Sequence, residues 1–146
     1  MVDDEVLVVH GGIGDGSWNV KDLRIVRLPL QESDILQNRH LLNLLWSDPV
    51  ASDAITNPCD NVERGGGGIV CFTASQVDKF CDMNKLKLVI RSHQCVMAGY
   101  EFFAGGRMLT VFSAANYMNS GNKASIVVLA RENKILRCSI KVLSPF

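Results

Sequence analysis

The sequence predicts one domain of the α+β class, with strand and helix units in its first part and antiparallel strands in its last part. The chain has 146 residues, of which 47% are hydrophobic, so it is long enough and apolar enough to build one core. Up to about residue 90, short valine-rich runs alternate with amphipathic stretches. Beyond that point, apolar runs are separated by glycine turns, which is typical of antiparallel strands.

Local signals place the individual elements. Asn19 can cap a first helix, which Pro29 then closes. Thr73 and Gln76 have the spacing of a capping box, and Gly105-Gly106 predicts a hairpin turn. The predicted strands are 5–9, 86–90, 100–104, 107–112, 125–130 and 134–143, and the predicted helices are 19–27, 39–46 and 75–84.

Two of the three histidines directly follow predicted strands. His10 comes after residues 5–9, and His93 comes after residues 86–90. Ligands gather at the carboxyl ends of strands in sheets flanked by helices. If the two strands are neighbours, both imidazoles can reach one metal ion. The alternative is that each is only a hydrogen-bonded histidine at a strand end. His40, in an amphipathic helical pattern, is predicted to lie on the surface or against a neighbouring helix.

Residues 47–68 predict a long loop, because they show little periodicity and contain two prolines and four successive glycines. Arg64 directly precedes those glycines. An arginine on such a loop can offer its planar guanidinium group to phosphate in a bidentate manner. One alternative is a solvated arginine on a flexible loop. Another is a nucleotide-binding loop, although the lysine and hydroxyl residue of a Walker motif do not follow the glycines.

Charge and cysteine content limit the expected partners. Fifteen basic and fifteen acidic residues cancel, and the sequence pI is near 6.8, so we expect neither nucleic acid nor a membrane surface as a partner. No secretion signal or membrane-spanning segment is predicted. The five cysteines are odd in number and form no Cys-x-x-Cys pair, which indicates reduced thiols in the cytoplasm or nucleus. We expect these cysteines to be small core residues.

Six motifs follow one another in an order typical of a known family. They are His10-Gly11-Gly12, Leu44-Leu45-Trp46-Ser47-Asp48-Pro49, Glu63-Arg64-Gly65, Arg91-Ser92-His93-Gln94, Gly99-Tyr100-Glu101-Phe102-Phe103-Ala104 and Phe112-Ser113-Ala114-Ala115-Asn116-Tyr117. From Val6 to Pro145 the chain thereby resembles the C-terminal half of the catalytic domain of PPP-type serine/threonine protein phosphatases. Residues 8–14 are most similar to the Kelch-repeat-bearing type of plants and protists. The chain departs from the family pattern at Ala115 and Met118, where proline and cysteine are usual.

The resemblance implies a fold, an activity and a cofactor. The fold is the αββα sandwich of metallophosphatases, also called calcineurin-like phosphoesterases, and residues 1–146 would be its C-terminal half, with mixed and antiparallel strands. The implied activity is hydrolysis of phosphoserine and phosphothreonine by a hydroxide that bridges two metal ions, which are manganese, iron or zinc. Phosphoprotein substrates and regulatory or targeting subunits are the implied partners.

The resemblance also implies roles for particular residues. His10 and His93 would be metal ligands, and Arg64 would hold the phosphoryl oxygens. Tyr117 would contact the phosphate or the bridging water. Trp46 and Asp48 would border the substrate groove.

Three further motifs of the family are absent from the sequence: Gly-Asp-x-His-Gly, Gly-Asp-x-Val-Asp-Arg-Gly and Gly-Asn-His-Glu. In the family they supply most metal-binding carboxylates, a second arginine and the histidine that protonates the leaving group. Two histidines do not make a two-metal site, since even one catalytic zinc ion typically has three protein ligands. We therefore expect the chain to act with a missing N-terminal half of the same domain, and to be inactive alone. The alternative is a pseudo-phosphatase that acts as a protein-binding module.

Overall fold

The strands of the protein form three separate sheets. The computed structural model describes residues 1–144, so Pro145, at the end of the expected family region, lies outside the described residues. The sheets have four, three and two strands. Within the described part of the chain, no helix has the length and apolar character needed to cross a membrane.

The elements follow one another in an order close to that predicted. They are β1 (Val6–Val8), α1 (Glu32–Gln37), α2 (Arg39–Trp46), β2 (Asp48–Pro49), β3 (Cys59–Asp60), β4 (Val70–Phe72), α3 (Ala74–Asn84), β5 (Leu88–Arg91), β6 (Tyr100–Phe103), β7 (Met108–Val111), β8 (Ala124–Glu132) and β9 (Ile135–Leu143). Short 3-10 helices occur at Val20–Ile25, Val62–Arg64, Ala104–Gly106 and Tyr117–Asn119.

The helix predictions are confirmed where a capping residue supports them. Asn38 caps α2, and Thr73 caps α3 by accepting the N–H of Gln76 at 3.3 Å. Asn19 caps a helix as predicted, but that helix is a 3-10 helix. The sequence prediction missed α1, β2, β3 and β4. The two-residue strands β2 and β3 interrupt the loop predicted over 47–68, and they are too short to show a period in sequence.

The four-stranded sheet has the order β1-β5-β7-β6 and places the histidines. β1 and β5 are parallel neighbours, with Val8 opposite Ile90. Their pairing continues past the strand ends, since the N–H of Ser92 donates to the carbonyl oxygen of His10 at 3.0 Å. The condition for the two imidazoles to meet, that their strands are neighbours, is therefore satisfied. The segments that follow β1 and β5 therefore leave the sheet at the same end, the carboxyl end of the two strands.

The core lies between helix α3 and this sheet. Val77 and Phe80 of α3 are fully buried, as predicted, and they belong to the same apolar cluster as Val89 of β5. Trp18 covers Phe80 at a ring separation of 4.8 Å, and its indole N–H donates to the carbonyl oxygen of Ile13 at 2.7 Å. A buried aromatic pair of this kind contributes more than its buried area alone.

The β8-β9 hairpin extends from this core and leaves apolar side chains in solvent. Its strands pair without interruption from Ala124 opposite Leu143 to Glu132 opposite Ile135. Exposed hydrophobic residues on it include Ile126, Val128, Ile135, Val142 and Leu143. Contiguous exposed apolar surface is typical of a face that packs against another protein segment.

The prediction that the cysteines are small core residues is wrong for most of them. Only Cys81 is buried, on the inner face of α3. Cys59, Cys95 and Cys138 are exposed, and Cys71 is half-buried. Composition alone did not reveal this, because burial of a cysteine depends on which face of a short strand or loop it occupies.

We expect Phe80→Ala to lower the free energy of unfolding by about 3–5 kcal/mol, because it removes a fully buried ring and leaves a cavity. Phe102→Ala is the matched control, since Phe102 is 53% exposed. Urea unfolding followed by circular dichroism measures both. Equal losses for the two variants would contradict the position of the core.

Candidate metal and phosphate site

His10 and His93 come together at the edge of the main sheet. His10 Nε2 lies 3.1 Å from His93 Nδ1, and the ring centroids are 4.9 Å apart. The backbone of His93 adopts the left-handed region, with φ 68°, in a tight turn where the N–H of Gln94 donates to the carbonyl oxygen of Ser92 at 2.8 Å. In this turn the His93 ring lies next to that of His10. His40, the third histidine, is exposed on α2, which agrees with a surface position.

His93 has the properties of a metal-binding imidazole. Burial, and next the positive charge of Arg64, lower the pKa of His93 to about 4. The ring is therefore neutral at physiological pH, which is the form that binds cations. Its Nε2 atom is buried and has no hydrogen-bond partner within residues 1–144.

Trp46 lies beside the histidine pair. Its ring is 5.3 Å from that of His93 and nearly perpendicular to it, at 85°. The side chain is 43% exposed. Trp46 ends α2, so the helix places an aromatic wall at the border of the site. This position suits the predicted contact with substrate, which stays a prediction.

Asp48 lies beneath the site and is almost completely buried. Its Oδ1 accepts from Arg91 Nη2 at 2.7 Å, and its Oδ2 accepts from Arg64 Nε at 3.0 Å and from Asn61 Nδ2 at 2.9 Å. Burial opposes ionisation of the carboxyl, but hydrogen bonds from Arg64, Asn61 and Arg91 outweigh it, so the pKa of Asp48 is lowered. Its carboxylate supplies the counter-charge that buried Arg91 needs. The expected position of Asp48 at the border of the substrate groove stays a prediction.

Arg64 is held with part of its guanidinium group free. It ends the 3-10 helix Val62–Arg64, and Gly65 follows in the left-handed region with φ 92°. Nε is bonded to Asp48, whereas neither Nη atom makes a hydrogen bond to residues 1–144. The side chain is 27% exposed. Asp48 links Arg64 to Arg91, and Arg91 contacts Gly11 and Gln94, the residues that follow the two histidines in sequence.

Tyr117 lies on a separate 3-10 helix, Tyr117–Asn119, and is 48% exposed. Its ring packs edge-on against Phe112 at 5.3 Å, and its backbone N–H donates to Asn122 Oδ1 at 2.7 Å. Within the described residues, its hydroxyl forms no hydrogen bond with the histidine pair or Arg64. The structure thus brings His10, His93, Trp46 and Arg64 together, and it does not join Tyr117 to them.

The chain is similar in sequence to known serine/threonine phosphatases, although no family model matches it. The chain is 35% identical over 147 residues to the serine/threonine-protein phosphatase BSL2 of Arabidopsis thaliana, covering 99% of this chain and 14% of that protein. It is equally similar, at 35% over 147 residues, to a serine/threonine-protein phosphatase of Caenorhabditis elegans, of which it covers 30%. This chain is homologous to the PPP-type serine/threonine phosphatases. It spans less than a third of the length of these two relatives.

A solved structure shows the same relationship at the level of the fold. A yeast protein serine/threonine phosphatase, described as similar to the human phosphatase PP5, matches with a TM-score of 0.77 and 26% identity. The match covers 99% of this chain and 45% of the yeast chain. The predicted fold class, the C-terminal half of a PPP metallophosphatase sandwich, is therefore confirmed.

The PPP family is metal-dependent, and the residues present fit two ligands of such a site. A nitrogen separation of 3.1 Å allows both imidazoles to bind one cation at the usual metal–nitrogen distance of about 2.0–2.1 Å. Nowhere in residues 1–144 are three or more His, Cys, Asp or Glu side chains grouped to hold a metal ion. A complete PPP centre therefore needs ligands beyond those that this part of the chain brings together.

Arg91 is the important residue of this PPP site to which the sequence analysis assigned no role. It is fully buried, and besides Asp48 it donates to the carbonyl oxygens of Gly11 and Ser47 and to Gln94 Oε1. Burial lowers its pKa and the Asp48 carboxylate opposes that effect. The sequence signal for its burial was its position as the one charged residue at the end of the apolar strand β5.

We expect Asp48→Asn to destabilise the chain by about 3–5 kcal/mol, because Arg91 then stays buried without a counter-charge. Asp60→Asn, at an exposed position, is the control and should change stability little. Because the folded-state pKa of Asp48 is lowered, its stabilisation is present above about pH 4 and is lost as pH falls through that lowered pKa. Urea unfolding at pH 7 and in acid measures both effects. A penalty that grew in acid would contradict the assignment.

Proposed function

We propose that this chain supplies the C-terminal half of the catalytic domain of a metal-dependent protein serine/threonine phosphatase. The observation that carries the proposal is the convergence of His10 and His93, from neighbouring parallel strands. Arg64 is linked to the same end of these strands through Asp48 and Arg91. The names of the two curated relatives support the same activity. The substrates would be phosphoproteins carrying phosphoserine or phosphothreonine.

Within this proposal each side chain has a defined task. His10 and His93 hold one metal ion through their ring nitrogens. Arg64 presents its two Nη atoms to phosphoryl oxygens, and Asp48 positions it by accepting from Nε. Trp46 shields the site and contacts the substrate. When bound, a pair of manganese, iron or zinc ions would lower the pKa of a water molecule so that hydroxide is available near neutral pH.

Tyr117 takes part in this proposal through its phenol, which would reach the phosphate or its water once substrate and the rest of the domain are in place. The remaining metal ligands and the acid for the leaving group would come from an N-terminal half of the same domain. We also propose that residues 1–146 are one half-domain of a Kelch-type parent protein in the cytoplasm or nucleus. That parent would bind regulatory or targeting subunits. The plant relative is in keeping with the Kelch subfamily.

The second candidate is a protein-binding module that keeps the phosphatase fold without catalysis. The observation in its favour is that residues 1–144 bring together no cluster of three metal-binding side chains. Against it, the neutral imidazole of His93, whose Nδ1 lies 3.1 Å from His10 Nε2, and the free Nη atoms of Arg64 are suited to ligands. Reconstitution of activity distinguishes the two.

We expect the chain alone to hydrolyse an aryl phosphate negligibly, and we expect manganese-dependent turnover when it is combined with a PPP N-terminal half. In the combined enzyme, Arg64→Ala should lower kcat/KM by about 100-fold or more, because a charged donor to the transition state is lost. Arg39→Ala, at an exposed position on α2, is the matched control. Strong turnover by the chain alone, or equal activity of the two variants, would overturn these roles.

A direct test of the metal ligands does not depend on activity. We expect the chain to bind Zn²⁺ weakly in a calorimetric titration, and His10→Ala or His93→Ala to abolish the heat, because two nitrogens form the only contribution assigned to the ion. His40→Ala is the matched control, because it also removes one histidine, and it should bind Zn²⁺ as the wild type does. Loss of binding in all three variants would contradict the assignment.

A further inference from the structure

Cys59 and Cys71 face each other across two paired strands. β3 and β4 are antiparallel, and Cys59 is in register with Cys71. Side chains directly opposite each other point to the same face of a sheet, with Cβ atoms about 4.5–5.5 Å apart. A disulfide needs a Cα separation of about 4.4–6.8 Å, which either kind of antiparallel pair satisfies, and a Cβ separation of about 3.5–4.5 Å. A bond between these sulfur atoms therefore requires the two short strands to bring the Cβ atoms closer by about 1 Å.

The surroundings of the two thiols agree with this placement. Cys59 is exposed, so a dissolved oxidant can reach it, whereas Cys71 is half-buried behind it. Burial, and then the charge and hydrogen bonding of Cys59, raise the pKa of Cys71 to about 11. This effect of Cys59 agrees with its position directly opposite Cys71.

The other three cysteines have no such partner in the described residues. Cys81 is buried in the core under α3, where burial raises its pKa. Cys138 lies on the β8-β9 hairpin opposite Leu129. Cys95 is 4.0 Å from the hydroxyl of Ser120. The opposed pair is thus particular to β3 and β4.

The pair also lies at the two ends of the segment that carries Arg64. Residues 60–70 leave β3 and return in β4, and both Asn61 and Arg64 in that segment donate to Asp48. Asp48 itself is in register with Cys71 on the other side of β4. Asp48, Cys71 and Cys59 are therefore aligned across the three neighbouring strands β2, β4 and β3.

We propose that Cys59 and Cys71 are a redox modification site, and that they form a reversible disulfide which closes the segment carrying Arg64. The oxidant is a peroxide. The Cys59 thiolate attacks one peroxide oxygen, so an S–O bond forms, the O–O bond breaks and Cys59 becomes a sulfenic acid. Cys71 sulfur then attacks that sulfur, the S–S bond forms, and the hydroxyl group leaves with the proton of Cys71 as water. Two thiols and one hydrogen peroxide give one disulfide and two waters.

The order of the steps follows from exposure. Cys59 reacts first because it is accessible, and Cys71 is mostly protonated near neutral pH. The second step succeeds despite that because the two sulfurs are held side by side, which raises their effective concentration. The consequence for Arg64, restricted motion of a phosphate-binding side chain, rests on the proposed function. The disulfide itself does not.

Peptide mapping of the full chain tests the proposal, because trypsin places every cysteine on its own peptide. Cys59 lies in 40–64 and Cys71 in 65–79. After mild peroxide treatment in native buffer, alkylation and digestion, we expect these two peptides to be joined, with a mass about 2 Da below their reduced sum. Dithiothreitol should release them. Cys138→Ser, at an exposed position away from the pair, should leave the link intact, and Cys71→Ser should abolish it.

A parallel oxidation in concentrated guanidinium distinguishes native pairing from chance. A native sample with the same random mixture of linked peptides as the denatured one would overturn the proposal. So would a native sample in which Cys59 is oxidised to sulfinic acid or paired elsewhere while Cys71 remains alkylated. Hydrogen exchange tests the closing of the segment: we expect slower exchange of amides 60–70 after oxidation, and unchanged exchange would refute that part. Neither readout depends on phosphatase activity.

Discussion

The buried ion pair between Arg91 and Asp48 is the interaction on which the rest of the site depends. Arg91 reaches the turn after β1 through Gly11 and the end of α2 through Ser47. Asp48 in turn holds Arg64 on the segment between β3 and β4. Separate elements of the fold are therefore fastened to one guanidinium and one carboxylate. Because both are buried, loss of either charge leaves the other uncompensated. Disruption of the ion pair is therefore expected to disrupt the site as well.

Parallel pairing of β1 and β5 is the second constraint. It sends both chains out of the sheet at one edge, and the turn at His93 completes the approach of the two imidazoles. Arg64 and the histidines belong to distant parts of the sequence, and the positive charge of Arg64 contributes to the lowered pKa of His93. The fold thus holds two imidazole nitrogens 3.1 Å apart and keeps Arg64 bonded to Asp48.

The cysteines illustrate a different kind of constraint. Cys59 and Cys71 stand far enough apart in sequence that no spacing motif connects them, and only the register of two very short strands makes them neighbours. Between them, Asn61 and Arg64 both donate to Asp48. The proposed disulfide would therefore close the short backbone segment that carries Arg64.

The sequence by itself determined the fold class, the capped helices α2 and α3, the main strands and the motifs that identify the phosphatase family. Those features have local signals: a capping side chain, a repeated apolar spacing, or residues contiguous in the chain. Only the tertiary structure decided the roles of Arg91, Asp48 and the cysteine pair. Asp48 is buried among its partners Arg91 and Arg64, which come from other segments of the chain. Burial and long-range charge pairing arise when distant segments meet, and no local pattern encodes them.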